Sequence, residues 1–317
     1  MMKLIQNEMV KIFRRPGTYV MLGLLVIIIA IAGAVMKYNQ GTYTTEDPQW
    51  KENLQTENVA LRKQLENSAE GQPEMAQYYE ESIALNEYRI KQNLPPQEEY
   101  TVWSFVNDIS QMIDFVGIFI ITVAAGIVAS EFNWGTIKLL LIRPISRVKI
   151  LTSKYLTVFL FGLFLLTILF VFSAVLGVIL FGVPDSASPY LIYKNGVVFE
   201  RPMWLQLIMF YSLKSINMVM LVTMAFMMSA VFRNSSLAIG LSIFLMFTGG
   251  QVTTLIAARY EWAKYILFAN TNLMQYFEGA PMIDGMTLTF SIMMLVLYFC
   301  LFLGLAYYVF KKRDITA

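Results

Sequence analysis

The chain has 317 residues, 57% of them apolar, a formal net charge of +2, one cysteine and no histidine. The absence of histidine removes imidazole bases, the usual zinc ligands and Ser-His or Cys-His nucleophile pairs, and a lone Cys300 excludes an internal disulfide framework. Several apolar runs exceed about 18 residues, the length that crosses a bilayer, so the sequence reads as an all-α integral membrane protein with six transmembrane helices.

Residues 1–17 come first. Ile5, Met9, Ile12 and Phe13 recur at helical spacing, with Lys3, Asn7, Lys11 and Arg14 on another face. The pattern fits an amphipathic helix in the cytoplasmic interface, its cations towards lipid headgroups or a partner; a plain basic flank would carry the same residues. Arg15-Pro16-Gly17 then turns into a first span at 18–37, too long for a signal peptide and without a cleavage pattern behind it.

The segment 38–108 is polar and acidic. Trp50, Leu54, Leu61 and Leu65 share one helical stripe, and Met75, Tyr79 and Ile83 another. A break at Gly71-Gln72-Pro73 and a stop at Pro95-Pro96 predict an extracytoplasmic helical hairpin of about 40 residues. A solvated spacer and a gating or partner-binding element are both compatible with it. Further spans are expected at 109–130, 155–181, 207–231, 237–257 and 287–310. Between them lie a cytoplasmic segment at 131–154, outer loops at 182–206 and 258–286 without a recognisable motif, and a tail at 311–317. Trp103, Trp204, Trp262 and Tyr307-Tyr308 fit interfacial aromatic belts.

Charge sets the orientation. The N-terminus, the 131–154 segment, the Arg233 turn and the tail carry 13 Lys and Arg against Glu8, Glu131 and Asp314, a balance of +10. The other side carries 10 basic and 18 acidic residues, a balance of −8. Both termini are therefore expected in the cytoplasm of a bacterial cell, in its cytoplasmic membrane. Asp114 and Lys214 are the ionisable residues within spans. They are the candidate pathway residues, unless they lie at the outer boundary, where Lys214 would snorkel and Asp114 would meet headgroups.

The 131–154 segment, EFNWGTIKLLLIRPISRVKILTSK, holds five basic residues between apolar blocks. Gly135-Thr136 permits a turn or starts a short helix, and Ser146 is placed to cap the helix that follows. A short apolar helix with cationic edges needs cover, from lipid or from the groove of a soluble cytoplasmic subunit. Glu131-x-x-x-Gly135-Thr136-x-Lys138-x-Leu140, with Pro144-Ile145-Ser146-Arg147 and Lys154, resembles the cytoplasmic loop of ABC-2 type permeases, the membrane subunits of ATP-binding-cassette exporters. The likeness extends to the basic N-terminal helix, the six spans and the large outer loop after the first. It implies that Glu131, Gly135, Thr136, Lys138, Leu140, Pro144, Ser146 and Arg147 form a coupling surface for a separate ATPase subunit, which would hold ATP and Mg. It also implies a second membrane subunit, either another copy or a paralogous permease.

The chain has no GxxxxGK[ST] phosphate loop, so it is expected to be no enzyme itself and to hold no cofactor. Thr248-Gly249-Gly250-Gln251 echoes part of an ATPase signature, but sits inside an apolar span where small residues permit close helix packing. No nucleic-acid partner is expected. Three rivals stand beside the exporter permease. A secondary transporter would need coupling-ion carboxylates and an inverted repeat, a membrane enzyme a convergent catalytic cluster. A sensor or immunity protein would use the outer hairpin to bind peptide.

Overall fold

The computed structural model describes residues 1–43, 49–68, 73–96, 100–137, 144–183, 189–194, 196–232, 234–277 and 281–312. The fold is helical, with six helices long and apolar enough to cross a membrane. The N-terminal helix α1 (Met2–Phe13) leads into α2 (Pro16–Tyr43), the first candidate span. A helical hairpin follows as α3 (Trp50–Ser68) and α4 (Pro73–Gln92). Leu54 and Asn58 are buried between the two, Asn86 donates to Asn58 over 3.0 Å, and Arg62 pairs with Glu87 at 2.6 Å. Helix α4 stops one residue before a left-handed Asn93 (φ 55°), where the Leu94 amide reaches back to the Arg89 carbonyl. That closure satisfies an orphan carbonyl at the helix end, ahead of the two prolines.

The second candidate span is preceded by a separate short helix. Helix α5 (Val102–Ser110) is followed by a turn at 111–112, and α6 (Ile113–Asn133) resumes the run. At the break, the Gln111 and Met112 amides make i→i−3 bonds to Asp108 and Ile109. The third span, α7 (Arg147–Phe181), starts eight residues before the apolar stretch read from the sequence, capped by Ser146, whose hydroxyl accepts from the Lys149 amide. An antiparallel hairpin of β1 (Tyr190–Lys194) and β2 (Val197–Arg201) comes next, pairing Ile192 with Phe199. It lies against α4, and Tyr88 donates to Glu200 across that contact. The remaining spans are α8 (Met203–Val231), α9 (Ser235–Ala257) and α11 (Leu288–Lys312), with the short α10 (Leu267–Asn270) between the last two.

Helix α6 is the axis of the bundle. Of its apolar window 72% is buried, against 17% for α2, α9 and α11, because α7, α8 and α9 all pack on it. The segment joining α9 to α11 folds back onto the bundle. Asn270 is fully buried there; its amide donates to the Lys264 and Ile266 carbonyls, and its oxygen accepts from Ser291. Gly249 has a packing role in the same region. A Cβ at that position would lie 2.3 Å from the Phe268 ring, so only glycine admits the ring against α9.

Candidate functional site

At the end of the bundle that carries the N-terminus, three helices meet through charge. Helix α1 turns Ile12 and Glu8 inward, one turn apart on its apolar face. Helix α6 brings Glu131 to the same place with its last turn, and α7 contributes Lys154 two turns after its cap. Lys154 is 1% exposed. Its ammonium donates to Glu8 Oε2 (2.8 Å), Glu131 Oε1 (3.0 Å) and the Ile127 carbonyl (3.1 Å). Lys11, from the rim of α1, donates to Glu8 Oε1 (2.8 Å) and Glu131 Oε1 (3.1 Å). Glu8, Lys11, Glu131 and Lys154 thus form a closed ring of alternating charge whose formal sum is zero.

Such a ring suits burial. An isolated charge in a low-dielectric site is heavily penalised, whereas an alternating ring gives each ion two opposite neighbours. Burial lowers the proton affinity of the Lys11 ammonium, but the hydrogen bonds and charges of Glu8 and Glu131 outweigh it and hold its pKa above 10.5. The Glu131 carboxylate is also held by the residues that follow α6. Thr136 donates its hydroxyl to the Glu131 carboxylate, and the chain reverses between them at Gly135, in the left-handed region at φ 70°. Gly135 follows the end of α6, where the Trp134 amide bonds to the Ser130 carbonyl. A left-handed glycine there is the usual way to end a helix and turn the chain away. The chain that leaves α6 therefore does so two residues after a residue locked in the ring.

The coupling residues read from the sequence divide into three groups. Glu131, Gly135 and Thr136 gather at the ring, with Glu131 facing inward. Ser146 caps α7, Pro144 is exposed beside it, and Arg147 donates to the Lys311 carbonyl at the end of α11. Lys138 and Leu140 lie outside the described residues. Asp114 is exposed in the first turn of α6, at the opposite end of that helix from Glu131. Lys214 turns to Gln111 at the α5–α6 break (2.5 Å) and stands over the Phe210 ring.

Glu8 and Lys11 were not among the residues the sequence singled out as a site. Glu8 had a signal: with Ile5 and Ile12 it falls on the apolar stripe of an amphipathic helix, where a carboxylate needs a partner. On the outward side of this end, the exposed charged residues Lys3, Arg14, Lys149, Lys311 and Lys312 are all basic among the described residues. Trp134 is 65% exposed there, with the Arg15 guanidinium 5.4 Å from its ring centre.

This architecture defines a multi-span helical membrane protein whose terminal face is basic and whose spans are tied together by a buried ion ring. The chain belongs to the family described as "Protein of unknown function (DUF2705)", matched over residues 75–316. It is similar to the "Uncharacterized protein YhcI" of Bacillus subtilis (strain 168), 50% identical over 318 residues and the full length of both chains. It is also similar to the "Uncharacterized membrane protein YdbK" of the same strain, 30% identical over 197 residues, which are 62% of this chain and 76% of that protein.

Proposed function

We propose that the chain is the transmembrane permease subunit of an ABC-2 type exporter, with both termini in the cytoplasm. A separate cytoplasmic ATPase subunit would bind ATP and Mg, and its strokes would be transmitted through the 131–154 segment to the spans. The chain itself carries out no bond chemistry in this reading. Its cargo would be a substrate such as an antimicrobial peptide, a drug, a lipid or an ion, and its membrane partner a second copy or a paralogous permease, in contact with the surrounding lipid.

The observation that carries the reading is the ring. It joins the interfacial helix α1, the end of α6 and the head of α7 through buried ion pairs. A push on the segment that follows α6 would therefore reach all three helices together, which a segment tethered only by its own backbone would not achieve. The basic outward face with exposed Trp134 supplies the charge and apolar area that an acidic docking groove would use.

The test is co-expression with candidate cassette ATPases, purification through a tag on this chain, and mass analysis of the complex. The expected result is a co-purifying ATPase, with hydrolysis confined to the complex and absent from the chain alone. Leu140→Asp would place an unpaired charge in the docking groove and lose the ATPase. Turnover by the rigorously purified chain, or a chain that recruits no cassette ATPase in any pairing, would sink the proposal.

A further inference from the structure

Helix α9 carries one side chain that its surroundings do not explain. Gln251 is exposed on a helix of 23 residues that is otherwise apolar enough to cross a membrane. It lies about 24 Å along the axis from Ser235 and about 9 Å short of Ala257. That places its amide within a hydrocarbon core of about 30 Å, where neither its donors nor its acceptor would find water. Among the described residues it makes no hydrogen bond within the chain. Its hydroxyl-bearing neighbours differ: Thr248 and Thr254 return their protons to the Phe244 and Gly250 carbonyls of the same helix. The other sparsely buried spans also differ. From Val20 to Val35 on α2, and from Ile292 to Leu305 on α11, the exposed positions carry only apolar side chains, cysteine or glycine.

The exposed face around Gln251 has a period. Leu237, Gly240, Phe244, Phe247, Gln251 and Thr254 follow one another at alternating steps of three and four, and all six are exposed. This is the spacing of a helix–helix seam, with Gln251 at one core position and Gly240 open to close approach. We propose that α9 is the seam along which two copies of this chain pair, and that the two Gln251 amides bond to each other. Two copies inserted with the same topology are related by a two-fold axis along the membrane normal. Their α9 helices then run parallel and present Gln251 at the same depth. A carboxamide has both donors and an acceptor, so it completes itself across that axis and needs no second residue type. A purely apolar partner would leave the Gln251 amide unsatisfied. The pairing deepens the permease reading by choosing a second copy over a paralogue, and rests on that reading only for the need of two membrane chains.

The test uses the full chain in native membranes, in a Cys300→Ser background. Gln251→Cys and Gly240→Cys should each give a disulfide-linked dimer on mild oxidation, and Ile292→Cys on α11 should not. Two differently tagged copies carrying Gln251→Leu should co-purify less well, by about threefold for each amide bond lost, with Gln251→Asn retaining more. No cross-link at either seam position would overturn the proposal. If Gln251→Cys then reacts with an impermeant maleimide, the face lines an aqueous pathway; if it is silent, lipid covers it. The readout needs no ATPase, so a failed cross-link beside a co-purifying ATPase rejects the seam alone, and the converse rejects the exporter alone.

Discussion

Lys154→Met tests whether the ring holds the terminal end together. The substitution keeps most of the side-chain volume and removes only the charge and its three contacts, to Glu8, Glu131 and the Ile127 carbonyl. The ring then changes from neutral to a net charge of −1, with the Glu8 and Glu131 side chains only 8% and 11% exposed. Removing one partner of a buried pair typically costs about 3–5 kcal/mol, because the surviving charge stays desolvated. Lys11 is the internal control. It touches the same two carboxylates, but its side chain is 39% exposed, so Lys11→Met should cost about 1 kcal/mol or less. At about 2 °C per kcal/mol for a chain of this size, the expected falls in unfolding midpoint are about 6–10 °C for Lys154→Met and about 2 °C for Lys11→Met. The assay is thermal unfolding of the purified chain in detergent, followed by tryptophan fluorescence. Adding Glu131→Gln to Lys154→Met restores a neutral remainder of Glu8 and Lys11, and should recover about 2 kcal/mol of the loss through their coupling. Equal shifts for the two lysines, or a double variant no better than Lys154→Met alone, would refute the ring as the element that joins α1, α6 and α7.

Two further outcomes check the packing and the orientation. Gly249→Val would place its Cβ 2.3 Å from the Phe268 ring, an overpacking expected to cost about 1–3 kcal/mol in the same thermal assay. Phe268→Ala should relieve much of that cost, and a Gly249→Val chain as stable as the parent would contradict the close approach. Val59 is 57% exposed on α3. In intact cells, Val59→Cys in a Cys300→Ser background should react with an impermeant maleimide, and labelling only after lysis would reverse the assigned sides.

Much of the fold was legible because its signals are local. A transmembrane helix announces itself by an uninterrupted apolar run, whatever it packs against. The α3–α4 helix pair follows from two stripes and a prolyl boundary, and the Ser146 cap from a Pro-Ile-Ser-Arg sequence ahead of a helical run. The small residues at Gly249-Gly250 were read as a packing surface, and Phe268 lies on the first of them. The β-hairpin at Tyr190–Arg201 stands where a loop without a recognisable motif is expected, although the sequence carries its signal. Tyr190-Leu191-Ile192-Tyr193 and Val197-Val198-Phe199 flank Asn195-Gly196, the dipeptide most typical of a two-residue hairpin turn. The break at 111–112 has weaker support: neither glycine nor proline stands at Gln111-Met112, and only the polar residues Asn107, Asp108, Ser110 and Gln111 ahead of α6 mark it. The ring was the least accessible. Glu8 and Lys154 are 146 residues apart, and no periodicity links residues that meet only when three helices converge.

The ring also shapes the face around it. The sequence assigns Glu8, Glu131 and Asp314 as the acids of the terminal side, and the two within the described residues are both turned inward to lysines. Had either carboxylate pointed outward, it would have neutralised part of the basic rim and repelled an acidic partner. Because Lys154 and the half-exposed Lys11 engage them, the remaining exposed cations of the rim keep their charge while the ring itself stays neutral. An anionic surface can then approach the rim and gain Coulombic attraction without breaking an internal pair. The same four residues thus separate two tasks that a surface salt bridge would mix. Buried pairs join the three helices, and among the described residues the exposed cations Lys3, Arg14, Lys149, Lys311 and Lys312 enter no ion pair with an acid, so their charge would be available to a docking partner under the proposed function.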